Sequence, residues 1–178
     1  DMDHPERAFE EFEQLCRETY FAAEAIPSLF MNLGPGIPAA YLGCPVEIQP
    51  DTVWFQGPGM SWEQILAARL DPNEKWWKYT LEIFRIAGRY ASGKYLVSMT
   101  DINAVMNIVG SMRGTLRLLA DLVDEPEQVT KAAEHVLRVW MDCYEQLYAI
   151  TQQYQKGISN WMGIWGPGSP RWMVWLGI

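Results

Sequence analysis

The sequence predicts an α/β fold in which short buried strands alternate with helices, and two observations carry that prediction. Residues 93–129 read GKYLVSMTDINAVMNIVGSMRGTLRLLADLVDEPEQV. The apolar run Tyr95 to Met99 stops at a polar tip, Thr100-Asp101-Ile102-Asn103, and helical periodicity follows at once. A buried strand that ends in a carboxylate and enters a helix is how parallel α/β folds present chemistry, at the carboxyl ends of their strands. The second observation is the order of patterns along the chain, where helices fall between strands as crossovers between parallel strands require.

The elements follow in order. Pro5 to Ala25 has helical spacing, with Ala8, Phe9, Phe12, Leu15, Cys16 and Thr19 on one side, acids on the other, and Asp3 as N-cap. Ile26 to Met31 is a short apolar run that suits a strand. Asn32 to Pro38 is too rich in Gly and Pro for a helix. Ala39 to Leu42 allows one helical turn, and Val46 to Phe55 reads as a hairpin or an extended excursion. Ser61 to Arg69 is a short helix with Ser61 as N-cap and Gln64 at the capping-box position. Asp71-Pro72 is expected to cap a helix over Asn73 to Ala91, which Gly93 ends. After the strand Lys94 to Met99, helices run over Ile102 to Met112 and Thr115 to Val123, broken at Arg113-Gly114. Asp124 caps a long helix from Pro126 to about Gln155, whose apolar face includes Val129, Val136, Trp140, Tyr144 and Leu147. Strands over Trp161 to Trp165 and Trp172 to Leu176 close the list.

Composition narrows the function classes. Hydrophobic residues make up 49% and charged residues 20%, which is a globular balance. No apolar run approaches the ~18 residues of a membrane span. A net charge of −8 lacks the basic face that phosphate backbones require, so no nucleic-acid partner is expected. Cys16, Cys44 and Cys143 are odd in number and widely spaced, and read as reduced thiols of a cytoplasmic protein. The chain stops inside the apolar run Trp172 to Ile178, so it is read as a fragment of a longer protein.

The segment GKYLVSMTDINAVMNIVGSMRGTLRLLADLVDEPEQV resembles the uroporphyrinogen decarboxylase superfamily, as does NLGPGIPAAYLGCPVEIQPDTVWF. The later GISNWMGIWGPGSPRW is similar to the bacterial uroporphyrinogen-III decarboxylase-like branch. The order of these motifs, over about residues 24–176, is more specific than any one of them. The resemblance implies a (β/α)₈ TIM barrel of about twice this length. Residues 1–178 are then a single partial domain, the N-terminal half of the barrel, inactive alone. The missing C-terminal half, or another chain, would cover the open barrel edge.

The same resemblance implies an enzyme of one of two kinds. The first moves methyl groups between a corrinoid protein and a small-molecule substrate, with corrinoid and zinc as possible cofactors of the full-length protein and none bound by this half. The second decarboxylates uroporphyrinogen or a related acid. In the decarboxylase, a catalytic aspartate precedes a Leu-Gly pair. The equivalent position here falls near Gly34, and no carboxylate lies between Phe30 and Pro45, which ranks methyl transfer first. No pair among His4, His135, Cys16, Cys44 and Cys143 has zinc-ligand spacing, so no metal ligands are assigned. A non-catalytic, tryptophan-rich binding domain is the third reading.

Candidate residues each carry two readings. Asp101 could move a proton or orient a substrate, or it could cap the helix expected at Ile102. Asn103 could bind substrate or be solvated. Trp161, Trp165 and Arg171 frame the fourth-strand end and could line a flat ligand or simply pack. Asn32, with Gly34 and Gly36, could let backbone approach a ligand or form a tight turn. Arg113 could hold an anion, but a salt bridge to Asp121 or Asp124 is favoured. Cys44 reads as a buried inert thiol and His135 as a surface histidine.

Overall fold

The computed structural model describes residues 4–49, 52–55, 57, 59–102 and 104–167. Helix α1 (Pro5–Glu18) begins with proline, whose missing N–H is harmless in a first turn. It docks through Phe9, 5.1 Å from Tyr90 between ring centroids, and Phe12, edge-on to Tyr95 at 4.9 Å. Strand β1 (Ser28–Phe30) and helix α2 (Ile37–Tyr41) follow. Every residue of α2 is buried, and Tyr41 donates to Thr80 Oγ1 at 2.8 Å, since the Thr80 proton goes to the Trp76 carbonyl at 2.7 Å. Strands β2 (Val46–Ile48) and β3 (Val53–Phe55) form the expected antiparallel hairpin.

Helix α3 (Trp62–Ala67) opens with the reciprocal capping box: Gln64 N–H donates to Ser61 Oγ at 3.3 Å, and Ser61 N–H to Gln64 Oε1 at 2.8 Å. Helix α4 (Lys75–Ala91) is capped by Glu74, which accepts from Trp77 N–H at 2.7 Å. Asp71 instead accepts from Asn73 N–H within the preceding turn. Strand β4 (Leu96–Ser98) lies parallel to β1, with Leu29 opposite Val97 and Phe30 opposite Ser98.

Helix α5 (Val105–Arg113) starts three residues later than the periodicity from Ile102 predicts, with Ala104 at the N-cap. Gly114, at φ 91°, ends α5 and opens α6 (Thr115–Asp124), a conformation that favours glycine. Helix α7 (Pro126–Thr151) has Glu125, not Asp124, at its N-cap, and packs on α3, α4, α5 and α6. Its buried Leu147, like Phe84 of α4, contributes about 1.5–3 kcal/mol by leaving water. Strands β5 (Ile158–Ser159) and β6 (Trp165–Gly166) form a hairpin. The single strand expected over Trp161 to Trp165 is mostly its turn, because Asn160 Oδ1 draws in the N–H groups of Met162 and Ile164, each at 3.1 Å. The strand expected over Trp172 to Leu176 lies outside the described residues.

The second edge of β4 is completed by a side chain. Val97 N–H donates to Gln155 Oε1 at 2.8 Å, and Gln155 Nε2 donates to the Val97 carbonyl at 3.0 Å. The amide thus replaces one rung of a neighbouring strand. Met99 N–H then donates to the Ser159 carbonyl at 2.9 Å, where β5 takes over. The described strands pair two by two and do not close into a barrel. No helix among the described residues is long and apolar enough to cross a membrane.

Helix α6 is anchored by a buried charge. Arg113 is 3% exposed. Its Nε donates to Asp121 Oδ2 at 2.6 Å and its Nη1 to the Met60 carbonyl at 3.0 Å, while its guanidinium lies 4.3 Å from the Trp62 ring centre. Glu125 approaches Nη2 at 3.7 Å but is largely solvated. Removing one member of a buried pair strands the other charge without water. Arg113→Met is therefore expected to cost about 3–5 kcal/mol in urea unfolding. Glu125→Gln is expected to stay within about 1 kcal/mol of the parent. Equal stability of the two variants would refute the assignment.

Candidate functional site

The carboxyl ends of β1 and β4 lie on the same edge of the parallel pair, and β5 joins that edge through the Met99–Ser159 bond. Three loops leave from it: Met31 to Gly36, Met99 to Ala104, and Asn160 to Ile164. None of them carries a lysine or arginine. The only carboxylate among them is Asp101.

Asp101 is half-buried, and burial pushes its carboxyl above the ordinary aspartate value. Because α5 begins at Val105 with no side-chain cap, the capping role is not exercised. Beside it, the Thr100 hydroxyl is buried without a hydrogen-bond partner among the described residues. Such groups concentrate where a site is completed by something else.

The loop holding these two residues is fixed from behind by α7. The Trp140 indole donates to the Ile102 carbonyl. Trp140 stacks on Tyr144 at 5.5 Å with 10° between ring planes, and Tyr144 on Tyr148 at 6.2 Å and 12°. Helical periodicity puts Trp140 and Tyr144 on the apolar face of the long helix and does not single out Tyr148. Their i, i+4, i+8 spacing was the signal of a ladder on one helix face.

Below the loop, three serines from three strands meet. Ser28 Oγ is 2.6 Å from Ser98 Oγ, Ser98 is 2.8 Å from Ser159, and Ser28 also bonds Ser159. A hydroxyl both donates and accepts, so the ring satisfies itself and ties β1, β4 and β5 together. No hydrophobic pattern marks these residues, and the sequence reading passed over them.

The remaining candidates sit differently. Asn32 is exposed, and its Oδ1 accepts from Gly34 N–H at 3.2 Å in a local turn. It also borders an apolar cavity of about 370 Å³, walled by Phe9, Leu29, Met31, Ile37 and Ile83. Trp161 is 60% exposed in the hairpin turn. Trp165 packs against Gly157 and donates to the Lys156 carbonyl at 3.2 Å, at the amino end of β5. Asn103 and Arg171 lie outside the described residues.

His135 is a correction: it is buried, 2.8 Å from the Ala68 carbonyl and 3.0 Å from Arg69 Nη1, at the end of α3. Burial pushes the Cys44 and Cys143 thiols up to about 11 and about 12, which keeps both protonated. Among the described residues no three His, Cys, Asp or Glu side chains gather as a metal site.

The raised Asp101 pKa fixes a sign. The folded chain holds the proton more tightly than the unfolded chain, so stability falls as pH rises from the unfolded through the folded value. Asp101→Asn removes the ionised group and should unfold no earlier than the parent at neutral pH. The parent should gain on the variant as pH falls through the raised folded value toward the ordinary aspartate value, and the difference should level off below that. Thermal melts across pH 3 to 8 check this, and a variant destabilised at pH 7 would overturn it. Comparison of the chain with protein-family models, with curated proteins and with solved structures gives no match.

Proposed function

We propose that this chain forms the first strands of a uroporphyrinogen decarboxylase-like (β/α)₈ barrel, and that the strand-end loops hold a small substrate for corrinoid-linked methyl transfer. The observation that carries the reading is Asp101, a desolvated carboxyl at the end of β4 that caps no helix. The parallel pairing of β1 and β4 is consistent with the barrel.

A corrinoid on a separate protein would supply the methyl-carrying centre. The role of Asp101 is to hold a proton on a carboxyl oxygen and pass it to the substrate heteroatom as that atom loses its methyl group. The α7 ladder holds the loop in place while this occurs, through Trp140 and the Ile102 carbonyl. Zinc has no ligand set among the described residues, and no step is routed through it.

The absence of lysine and arginine from all three loops favours a substrate of low charge over a poly-acid, whose carboxylates need cationic partners. Decarboxylation of a porphyrinogen therefore ranks second.

The test uses the full-length protein, cob(I)alamin as the methyl acceptor and a panel of methylated thiols and methylamines, read from the corrinoid absorbance. Asp101→Asn should lower kcat roughly 10²- to 10⁴-fold with a small change in KM. Unchanged turnover in that variant, or conversion of uroporphyrinogen to coproporphyrinogen by the parent, would replace this reading.

A further inference from the structure

Helix α6 is built inside out. The face it turns to the core carries Leu118 and Asp121, both buried, with Asp121 neutralised by Arg113. The opposite face carries Leu116, Leu119, Ala120 and Val123, at the i, i+3, i+4, i+7 spacing of a single apolar stripe. Leu116 is 86% exposed, Leu119 56% and Val123 81%. Single exposed apolar side chains are ordinary, but a continuous stripe along a helix marks an interaction surface.

Charge on the stripe's border identifies the occupant. Arg117 and Asp124 are seven residues apart, so they stand on the same flank, one near each end. Both are exposed, and neither makes an ion pair or hydrogen bond among the described residues. When two helices pack antiparallel about a two-fold axis, like flanks face each other. Arg117 of one copy then meets Asp124 of the other, twice. A parallel pair would set this flank against the one bearing Thr115 and Leu122, and the charges would find no partner. Ala120, near the middle of the stripe, lets the helices approach closely at their crossing.

We infer that α6 pairs with α6 of a second copy of this chain, antiparallel and about a two-fold axis, as isologous interfaces require. An anionic membrane is a poor occupant, because the face bears one arginine offset by one aspartate, Asp124, and the chain carries a net charge of −8. A patch one helix wide buries less than the about 1,200 Å² of a stable complex, so the dimer is weak and concentration-dependent. The inference is independent of the chemistry at Asp101.

Sedimentation equilibrium of the full-length protein tests it, with Arg117→Asp, Asp124→Arg, the double swap and Val123→Glu. All the altered side chains are exposed, and thermal melts confirm that each variant folds. Either single reversal opposes like charges at two symmetric places and should weaken the dimer by roughly tenfold or more. The swap should restore it, because the pairing is merely inverted. Val123→Glu should give monomer. A parent that stays monomeric at its highest soluble concentration overturns the inference, as does a dimer indifferent to Val123→Glu. Single reversals that weaken the dimer without rescue by the swap overturn the antiparallel arrangement.

Discussion

Strand β4 is three residues long, and everything at its carboxyl end depends on both of its edges being hydrogen-bonded. A buried backbone amide without a partner costs about as much as a lost hydrogen bond. One edge is taken by β1. On the other, the Gln155 amide serves Val97 and the Ser159 carbonyl serves Met99. With these in place the chain can leave the sheet at Thr100 in a defined direction and put Asp101 where water is scarce. The long helix α7 matters to the site for this reason: it ends just before Gln155, and it carries Trp140, which holds the loop beyond β4.

Two requirements meet in the residues after β4. The loop must be rigid enough to orient a group and dry enough to change that group's acidity. Rigidity comes from an indole bond and a stack of rings behind the loop. Dryness comes from Thr100 and Ile102, which are buried on either side of Asp101. Among the described residues no cation is placed to hold the carboxylate in its charged form, and burial sets the direction of the shift.

Much of this architecture was legible in the sequence, because it rests on local patterns. The capping box at Ser61, the hairpin over residues 46–55 and the apolar face of α7 follow from spacing and residue type. What was not legible depends on groups distant in sequence. A glutamine side chain that stands in for a strand leaves no periodicity. Asp101 is the right residue type for a cap, and only backbone geometry shows that the helix starts too late to use it. His135 was misjudged by residue type, although its position beside Val136, and three and four residues from Ala132 and Val139, already placed it on the inner face. The outward stripe of α6 could be read from spacing, but its orientation could not, since either face has leucines. The buried Arg113–Asp121 pair decides it.

The serine ring has a further consequence for the site above it. Three hydroxyls in a closed cycle can be ordered in either of two senses, and reversing the sense moves only hydrogens. In each sense every proton is spent inside the cycle. The ring therefore fastens three strands without spending a proton outside the cycle, and among the described residues no side-chain hydrogen bond reaches Asp101 to favour its anion. The strand ends are held together by polar groups that leave the space above them electrostatically plain.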